Sequence, residues 1–252
     1  MHDPIAFRSD RLPTEHFDER FSEENVTFWV PILADAARIG PGARVLDVGC
    51  GTGGFARAIA AGSSARVTGL DSSARFVEFA RSRPGSVEWV VGDGEELPFA
   101  DTSFDRVLLS LVLHQLARPG AAVAEAFRVL VPGGAVLVRT IAPEDAVRRI
   151  PERYIPAMAA ADAARMPSLA QVEAWLEGAS FERLDTRRVL RNAVLNLADE
   201  ERRVRVEVAS RYAFVTADEL EDGLRRMRAD AEAHGDAWVD PRPTHVVVAS
   251  KA

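Results

Sequence analysis

Residues 44–54 read Arg-Val-Leu-Asp-Val-Gly-Cys-Gly-Thr-Gly-Gly, and this stretch decides the fold. An apolar run of β-type residues, Val45, Leu46 and Val48, breaks into a cluster of glycines. An amphipathic helix then begins at Gly54-Phe55-Ala56-Arg57-Ala58-Ile59-Ala60. Glycine at such a break lets the backbone turn with positive φ and approach a ligand with no Cβ in the way. The unpaired N–H groups of the helix start face whatever lies above the loop. The pattern predicts a nucleotide-type site at the end of a first parallel strand.

Two ligand classes compete for that site. Gly49, Gly51 and Gly54 satisfy the dinucleotide spacing G-x-G-x-x-G, and Asp71 follows within the window for a ribose contact. Alone, that would suit NAD. Asp47, however, sits in the loop approach, close to where a pyrophosphate would go, and like charge there is unfavourable. Gly53 adds a further glycine, so Asp47 through Gly53 reads Asp-x-Gly-x-Gly-x-Gly. This resembles motif I of the class I S-adenosylmethionine-dependent methyltransferases. Their ligand has no phosphate and carries an ammonium and a sulfonium, which suits an acidic approach.

The resemblance runs on in order through residues 44–140. Val67-Thr68-Gly69-Leu70-Asp71-Ser72-Ser73 resembles the second strand, ending in the ribose-binding acid. A carboxylate can accept from both ribose hydroxyls. Val87 to Phe99, with Gly92-Asp93-Gly94-Glu95-Glu96, resembles the third strand and the adenine loop, Asp93 facing the adenine amino group. Phe104 to Ser110, then Leu113-His114-Gln115-Leu116, resembles the fourth strand and the segment flanking the reacting methyl. Glu125 to Gly134 resembles the helix and turn before strand five. The subgroup it resembles is the ubiquinone/menaquinone C-methyltransferase type with its small-molecule relatives, which often carry a second histidine where this chain has Gln115. The resemblance implies a cofactor set of Asp47, Gly49, Cys50, Gly51, Gly53, Asp71, Ser72, Asp93, Gly94, Glu95 and Ser110, with S-adenosyl-L-methionine as cofactor. It places His114 where a general base could reach an acceptor, and Phe21, Trp29, Tyr154 and Met158 as candidates to line the acceptor pocket.

The bulk properties fit. At 252 residues, a single domain with an elaborated cap is expected. The net charge of −7, with no basic block, argues against a nucleic-acid substrate, which calls for a concentrated positive face. Nearly all basic residues are arginine, Lys251 being the single lysine, which reads as genomic composition bias. Cys50 is the single cysteine, so no intramolecular disulfide or multi-cysteine metal site is expected. The scattered histidines offer no ligand cluster, so no metal is expected either. Met1-His2-Asp3-Pro4 has no charged-then-apolar leader, and the apolar stretch at 107–113 is too short to cross a bilayer. The expectation is a soluble cytoplasmic enzyme, monomer or homodimer, with no membrane partner.

Strands expected near 44–48, 66–70, 87–91, 104–109 and 134–139 alternate with helices near 54–62, 72–82 and 119–130. Such alternation predicts an α/β fold, a Rossmann-like doubly wound sheet of seven strands, mostly parallel with the last antiparallel, plus a helical cap. The expected division is an N-terminal helical cap at 1–43, a cofactor-binding core at 44–140, cap insertions at 141–180 and 193–235, and final strands at 181–192 and 244–250. Long insertions of this kind are usually functional, and these are expected to cover the open end of the sheet and to set acceptor choice.

Each candidate has a plainer reading. Asp47 could brace the loop by accepting backbone N–H bonds, Asp71 could cap the helix after it, and Asp93 could be a solvated loop acid. Glu95 and Glu96 could be surface charges, and His114 could pack or orient without moving a proton. Tyr154 reads as structural, and Phe21 and Trp29 as core at helical spacing. The implied reaction is methyl transfer to a small-molecule acceptor, a bacterial metabolite or natural product, by in-line displacement. The alternatives are a cyclase or rearrangement catalyst that keeps the pocket, an NAD-dependent oxidoreductase, and a non-catalytic cofactor-sensing or partner-binding protein.

Overall fold

Arg44–Val48 (β1) runs through the middle of the sheet, and Val45 to Val48 are all buried, Asp47 included. A strand covered by helices on both faces needs such continuous burial. The computed structural model describes residues 23–146, 150–211, 215–235 and 237–252. Glu23–Ala36 (α1) precedes β1. After it come Gly54–Ser63 (α2), Arg66–Asp71 (β2), Ala74–Arg81 (α3), Val87–Val91 (β3), Phe104–Ser110 (β4), Pro119–Val129 (α4) and Leu130–Thr140 (β5). Then follow Pro143–Ala146 (α5), Ile150–Tyr154 (α6), Pro156–Arg165 (α7), Leu169–Gly178 (α8), Glu182–Asn196 (β6), Leu197–Arg211 (α9), Ala217–His234 (α10) and Ala237–Ser250 (β7).

The strands form one seven-stranded sheet in the order β3-β2-β1-β4-β5-β7-β6. β1 lies parallel to β2 and β4, β2 to β3, and β4 to β5. β7 runs antiparallel to β5. The mostly parallel, doubly wound sheet expected from the sequence is therefore the one observed. The strand order reverses beside β1, which puts a crevice at the carboxyl ends of β1 and β4.

Register fixes which side chains share a face, because directly opposed residues point the same way. Trp89, Gly69, Asp47, Leu108 and Leu137 form one row across five strands. Asp71, Ser110 and Arg139 stand two residues further along, on the same face at the carboxyl edge. The opposite face carries Leu46, Val48, Leu70, Val107, Leu109, Val136 and Val138 into the main core. Val123, Ala126 and Val129 of α4 and Val172 and Leu176 of α8 close that core. Each such aliphatic side chain contributes roughly 1.5–3 kcal/mol on burial.

The chain divides into two compact units. The larger contains the described residues through Thr140, with Leu169–Arg187 and His245–Ala252. The smaller includes Ile141–Ser168 and Arg188–Thr244. The insertion expected at 141–180 is thus shorter, because Val172 and Leu176 bury α8 in the sheet's own core. β6 also runs on to Asn196, past the expected start of the second insertion at 193, and β7 begins at Ala237. The helix expected at 72–82 starts at Ala74, because the Ser73 hydroxyl caps it by accepting from the Phe76 N–H. In the smaller unit, Ile155, Met158, Ala161, Val204, Val215, Leu224 and Met227 form a separate core. α10 opens with a reciprocal capping box between Thr216 and Glu219.

Candidate functional site

The glycine loop is built from three left-handed glycines, Gly49 (φ 71°), Gly51 (φ 56°) and Gly53 (φ 78°). A Cβ on Gly49 would run into the Val112 side chain, and one on Gly53 into the Trp89 ring. The loop is also tied down. The N–H groups of Gly49 and Cys50 both donate to the Leu70 carbonyl, at 2.8 and 3.0 Å. Gly51 N–H donates to Asp71 Oδ2 at 2.8 Å, and Ser73 N–H to Asp71 Oδ1 at 2.9 Å. Arg57 Nη1 donates to the Thr52 carbonyl at 2.7 Å, so the arginine nearest the loop braces it.

Asp47 is buried, 4% exposed, and takes no hydrogen bond from the described residues. The loop-bracing reading of Asp47 therefore fails, and Asp71 performs that bracing instead. Burial, and then the charge of Asp71, push the Asp47 carboxyl up to about 7. Burial also raises Asp71, against the lowering effect of its two backbone hydrogen bonds. Burial and both acids raise the Cys50 thiol, which is packed away and unreactive. The two carboxylates, with Arg57 engaged by the Thr52 carbonyl, favour a cationic, phosphate-free ligand.

The loop after β3 is held from behind. Asp93 Oδ1 accepts from Glu95 N–H at 2.8 Å, a local turn bond. A Cβ on Gly94 would lie 2.9 Å from Val48 Cγ1, so Gly94 lets this loop close on the end of β1. Glu95 turns its carboxylate to Arg118, accepting from the backbone N–H at 2.7 Å and from Nε at 2.9 Å. Its side chain is thus engaged at the start of α4. Glu125 accepts from Leu97 N–H, and Arg128 donates to the carbonyls of Leu97 and Phe99.

β4 ends at Ser110, and Leu111 takes a left-handed φ of 55° while its N–H donates to the Arg139 carbonyl at 2.8 Å. That conformation costs a branched residue about 1–2 kcal/mol. It turns the chain into the short 3₁₀ turn Leu113–Gln115, which carries the half-buried His114 beside the glycine loop's Val112 neighbour. Ser110 Oγ lies 3.5 Å from Arg139 Nη1.

Comparison with known proteins agrees with this arrangement. Residues 46–138 match the methyltransferase domain model. These residues belong to the class I S-adenosylmethionine-dependent methyltransferase family. A demethylmenaquinone methyltransferase of Renibacterium salmoninarum is 38% identical over 110 residues, 44% of this chain and 46% of that one. The chain spans under half the length of this and other similarly matched curated relatives. Among solved structures, a candidate methyltransferase from an antibiotic biosynthesis pathway of Anabaena variabilis superposes with TM-score 0.72 at 23% identity, covering 89% of this chain and 97% of that one. The [4+2]-cyclase SpnF superposes with TM-score 0.60 at 23% identity, covering 88% and 80%. Both structural likenesses concern the fold.

Within the methyltransferase domain the structure brings together Asp47, Gly49, Cys50, Gly51, Gly53, Asp71, Ser72, Gly94 and Ser110 around the crevice strands. Asp93 and Glu95 sit in the adjoining loop with side-chain bonds of their own. Trp29 is buried on α1 against Arg139. Phe21 lies outside the described residues. Tyr154 and Met158 belong to the smaller unit. Tyr154 stacks on Trp238 and donates to Asp230 at 2.7 Å; burial, and then that hydrogen bond, push its hydroxyl up to about 12. Met158 is fully buried in that unit's core, which corrects its reading as a lining residue. Sequence reasoning missed Trp89, Glu125, Arg128 and Arg139. Among the described residues no three metal-ligating side chains converge, and no helix is long and apolar enough to cross a membrane.

Proposed function

We propose that this chain is an S-adenosylmethionine-dependent methyltransferase acting on a small-molecule acceptor, a bacterial metabolite or natural product. The observation that carries the reading is the buried, hydrogen-bond-poor Asp47 beside a glycine loop braced by Asp71. Asp47 is the counter-charge for an ammonium group, and Asp71 keeps lone pairs for ribose hydroxyls. The loop after β3 offers backbone groups to the adenine. When bound, the cofactor supplies an electrophilic methyl on a sulfonium, displaced in line by the acceptor's nucleophile. The protein contributes position and exclusion of water. His114 takes the acceptor's proton where the nucleophile holds one of high pKa. The quinone-directed name of the matched relative and the antibiotic-pathway context of the structural neighbour support a small acceptor. The acidic net charge of −7 speaks against nucleic acid as the substrate.

A second reading, a cyclase that keeps the pocket without transferring methyl, rests on the fold shared with SpnF. Mass spectrometry separates the two. The full chain is incubated with S-adenosylmethionine and a panel of phenols, quinols and carboxylic acids. Methyl transfer adds one methylene to an acceptor and releases S-adenosylhomocysteine. A product of unchanged mass, with the cofactor intact, favours the cyclase.

A further inference from the structure

Two side chains of α4 grip the loop after β3 by its backbone. Glu125 Oε2 accepts the Leu97 N–H at 2.7 Å. Arg128 Nη2 donates to the Leu97 carbonyl at 3.0 Å, and Nη1 donates to the Phe99 carbonyl at 2.8 Å. The pair is itself a fork, in which Arg128 Nε and Nη2 donate to the two Glu125 oxygens at 2.8 and 2.7 Å. One ion pair therefore takes both backbone groups of Leu97, whose side chain, 4% exposed, is fixed in the main core. Glu95, two residues earlier, is anchored on Arg118 at the start of the same helix. Gly94, next to it, is buried against Val48 at the end of β1, and its N–H makes no hydrogen bond among the described residues. A buried backbone N–H is rarely left without an acceptor.

We propose that Glu125 and Arg128 are positioning residues for base recognition, and that their grip on Leu97 sets the Gly94 N–H against the ring acceptor of adenine. This rests on the methyltransferase reading, which puts the cofactor's adenine at this loop. Neither side chain touches the ligand; both act through the backbone between Leu97 and Gly94. Adenine presents an acceptor at N1 and a donor at its 6-amino group. Hypoxanthine presents a donor at N1 and an acceptor at C6. An N–H held against N1 pairs with adenine and faces another donor in hypoxanthine, and a buried donor left unpaired is what rejects the wrong ligand. That selection is only as sharp as the loop is fixed, because a shift of about 1 Å is enough to spoil, or to escape, such a contact. A guanidinium can hold one carboxylate in a fork and still donate to two carbonyls, which a lysine ammonium does less well.

The test is calorimetry of the full chain with S-adenosylhomocysteine and with S-inosylhomocysteine, which differs only in carrying hypoxanthine. The wild type is expected to prefer the adenine ligand by at least about 30-fold. Arg128→Ala and Glu125→Ala are each expected to cut that preference to about fivefold or less, chiefly by weakening S-adenosylhomocysteine. Glu125→Gln still offers an oxygen to the Leu97 N–H and is expected to keep most of the preference. Arg128→Lys is expected to fall between wild type and Arg128→Ala, and it serves if the alanine variant does not fold. A merely structural role would lower the melting temperature, or weaken both ligands equally, and leave the ratio unchanged. An unchanged ratio in the folded Arg128 variant therefore overturns the proposal, as does a wild type that binds the two ligands equally or a Glu125→Gln variant no more selective than Glu125→Ala. A wild type that binds neither ligand removes the underlying reading, and this proposal with it.

Discussion

The carboxylate of Asp71 accepts the Gly51 backbone N–H at 2.8 Å, so the acid at the end of β2 holds the middle of the glycine loop. Its other oxygen accepts from Ser73 N–H at 2.9 Å. Asp71 thus has a structural and a ligand-facing part, and each oxygen keeps a further lone pair. Asp71→Ala is expected to weaken S-adenosylhomocysteine binding by about 1.5–3 kcal/mol, the range for hydrogen bonds to a charged group, and to lower the melting temperature of the ligand-free chain. Calorimetry and thermal unfolding check the two effects. An unchanged dissociation constant in a folded variant takes Asp71 out of the ligand site.

Asp47 gives a pH signature. Its carboxyl is pushed up to about 7, chiefly by burial. The folded, ligand-free chain therefore holds a proton that the unfolded chain has released at lower pH. The stability linked to that proton is fully present below the unfolded pKa and is lost as pH rises through about 7. Asp47→Asn lacks this titration, so its melting temperature relative to wild type should rise with pH. Binding an ammonium favours ionised Asp47, so wild-type affinity for S-adenosylhomocysteine should increase between about pH 5 and 8, and the Asn variant should be weaker and flat. A wild-type affinity that is flat across that range contradicts the ammonium role.

Trp89 and Gly53 make a steric prediction. Trp89 lies over Gly69, opposite it in the sheet register, and reaches on to Gly53. Gly53→Ala would both crowd the ring and force alanine into a left-handed backbone. It should destabilise the fold by about 2–4 kcal/mol, from overpacking plus the φ penalty. Trp89→Leu in the same chain should recover part of that loss in chemical denaturation. Full additivity of the two substitutions shows that the ring is not what Gly53 avoids.

Much of this was legible in the sequence because it depends on local chemistry. Alternating apolar strands and amphipathic helices gave the sheet, and the glycines with Asp47 and Asp71 gave the cofactor end. What stayed hidden is what meets only across the fold. Gly53 reads as a ligand-approach residue, yet its Cβ would strike Trp89, a residue on β3. α8 reads as part of an insertion, yet its Val172 and Leu176 fill the main core. Met158 falls in the expected cap insertion and so reads as a lining candidate, yet it is buried in a second core. Arg139 sits in an ordinary apolar strand, and the rings of Trp29 and Phe55, which pack on its guanidinium, are brought to it by α1 and α2.

His114 is tested kinetically once an acceptor is identified. As general base, its replacement by alanine should lower kcat by roughly 10²–10⁴-fold and leave S-adenosylhomocysteine affinity nearly unchanged. The wild-type pH–rate profile should lose its acidic limb in the variant. Near-normal kcat ends the base assignment and leaves proximity and desolvation as the sources of catalysis.

The central claim is that the glycine loop, with Asp47 and Asp71, holds a nucleoside that bears an ammonium and no phosphate. Isothermal titration of the full wild-type chain with S-adenosylhomocysteine and, separately, with NADH tests it most directly. The account predicts saturable one-site binding of S-adenosylhomocysteine and no binding of NADH; saturable NADH binding with no heat from S-adenosylhomocysteine would contradict it.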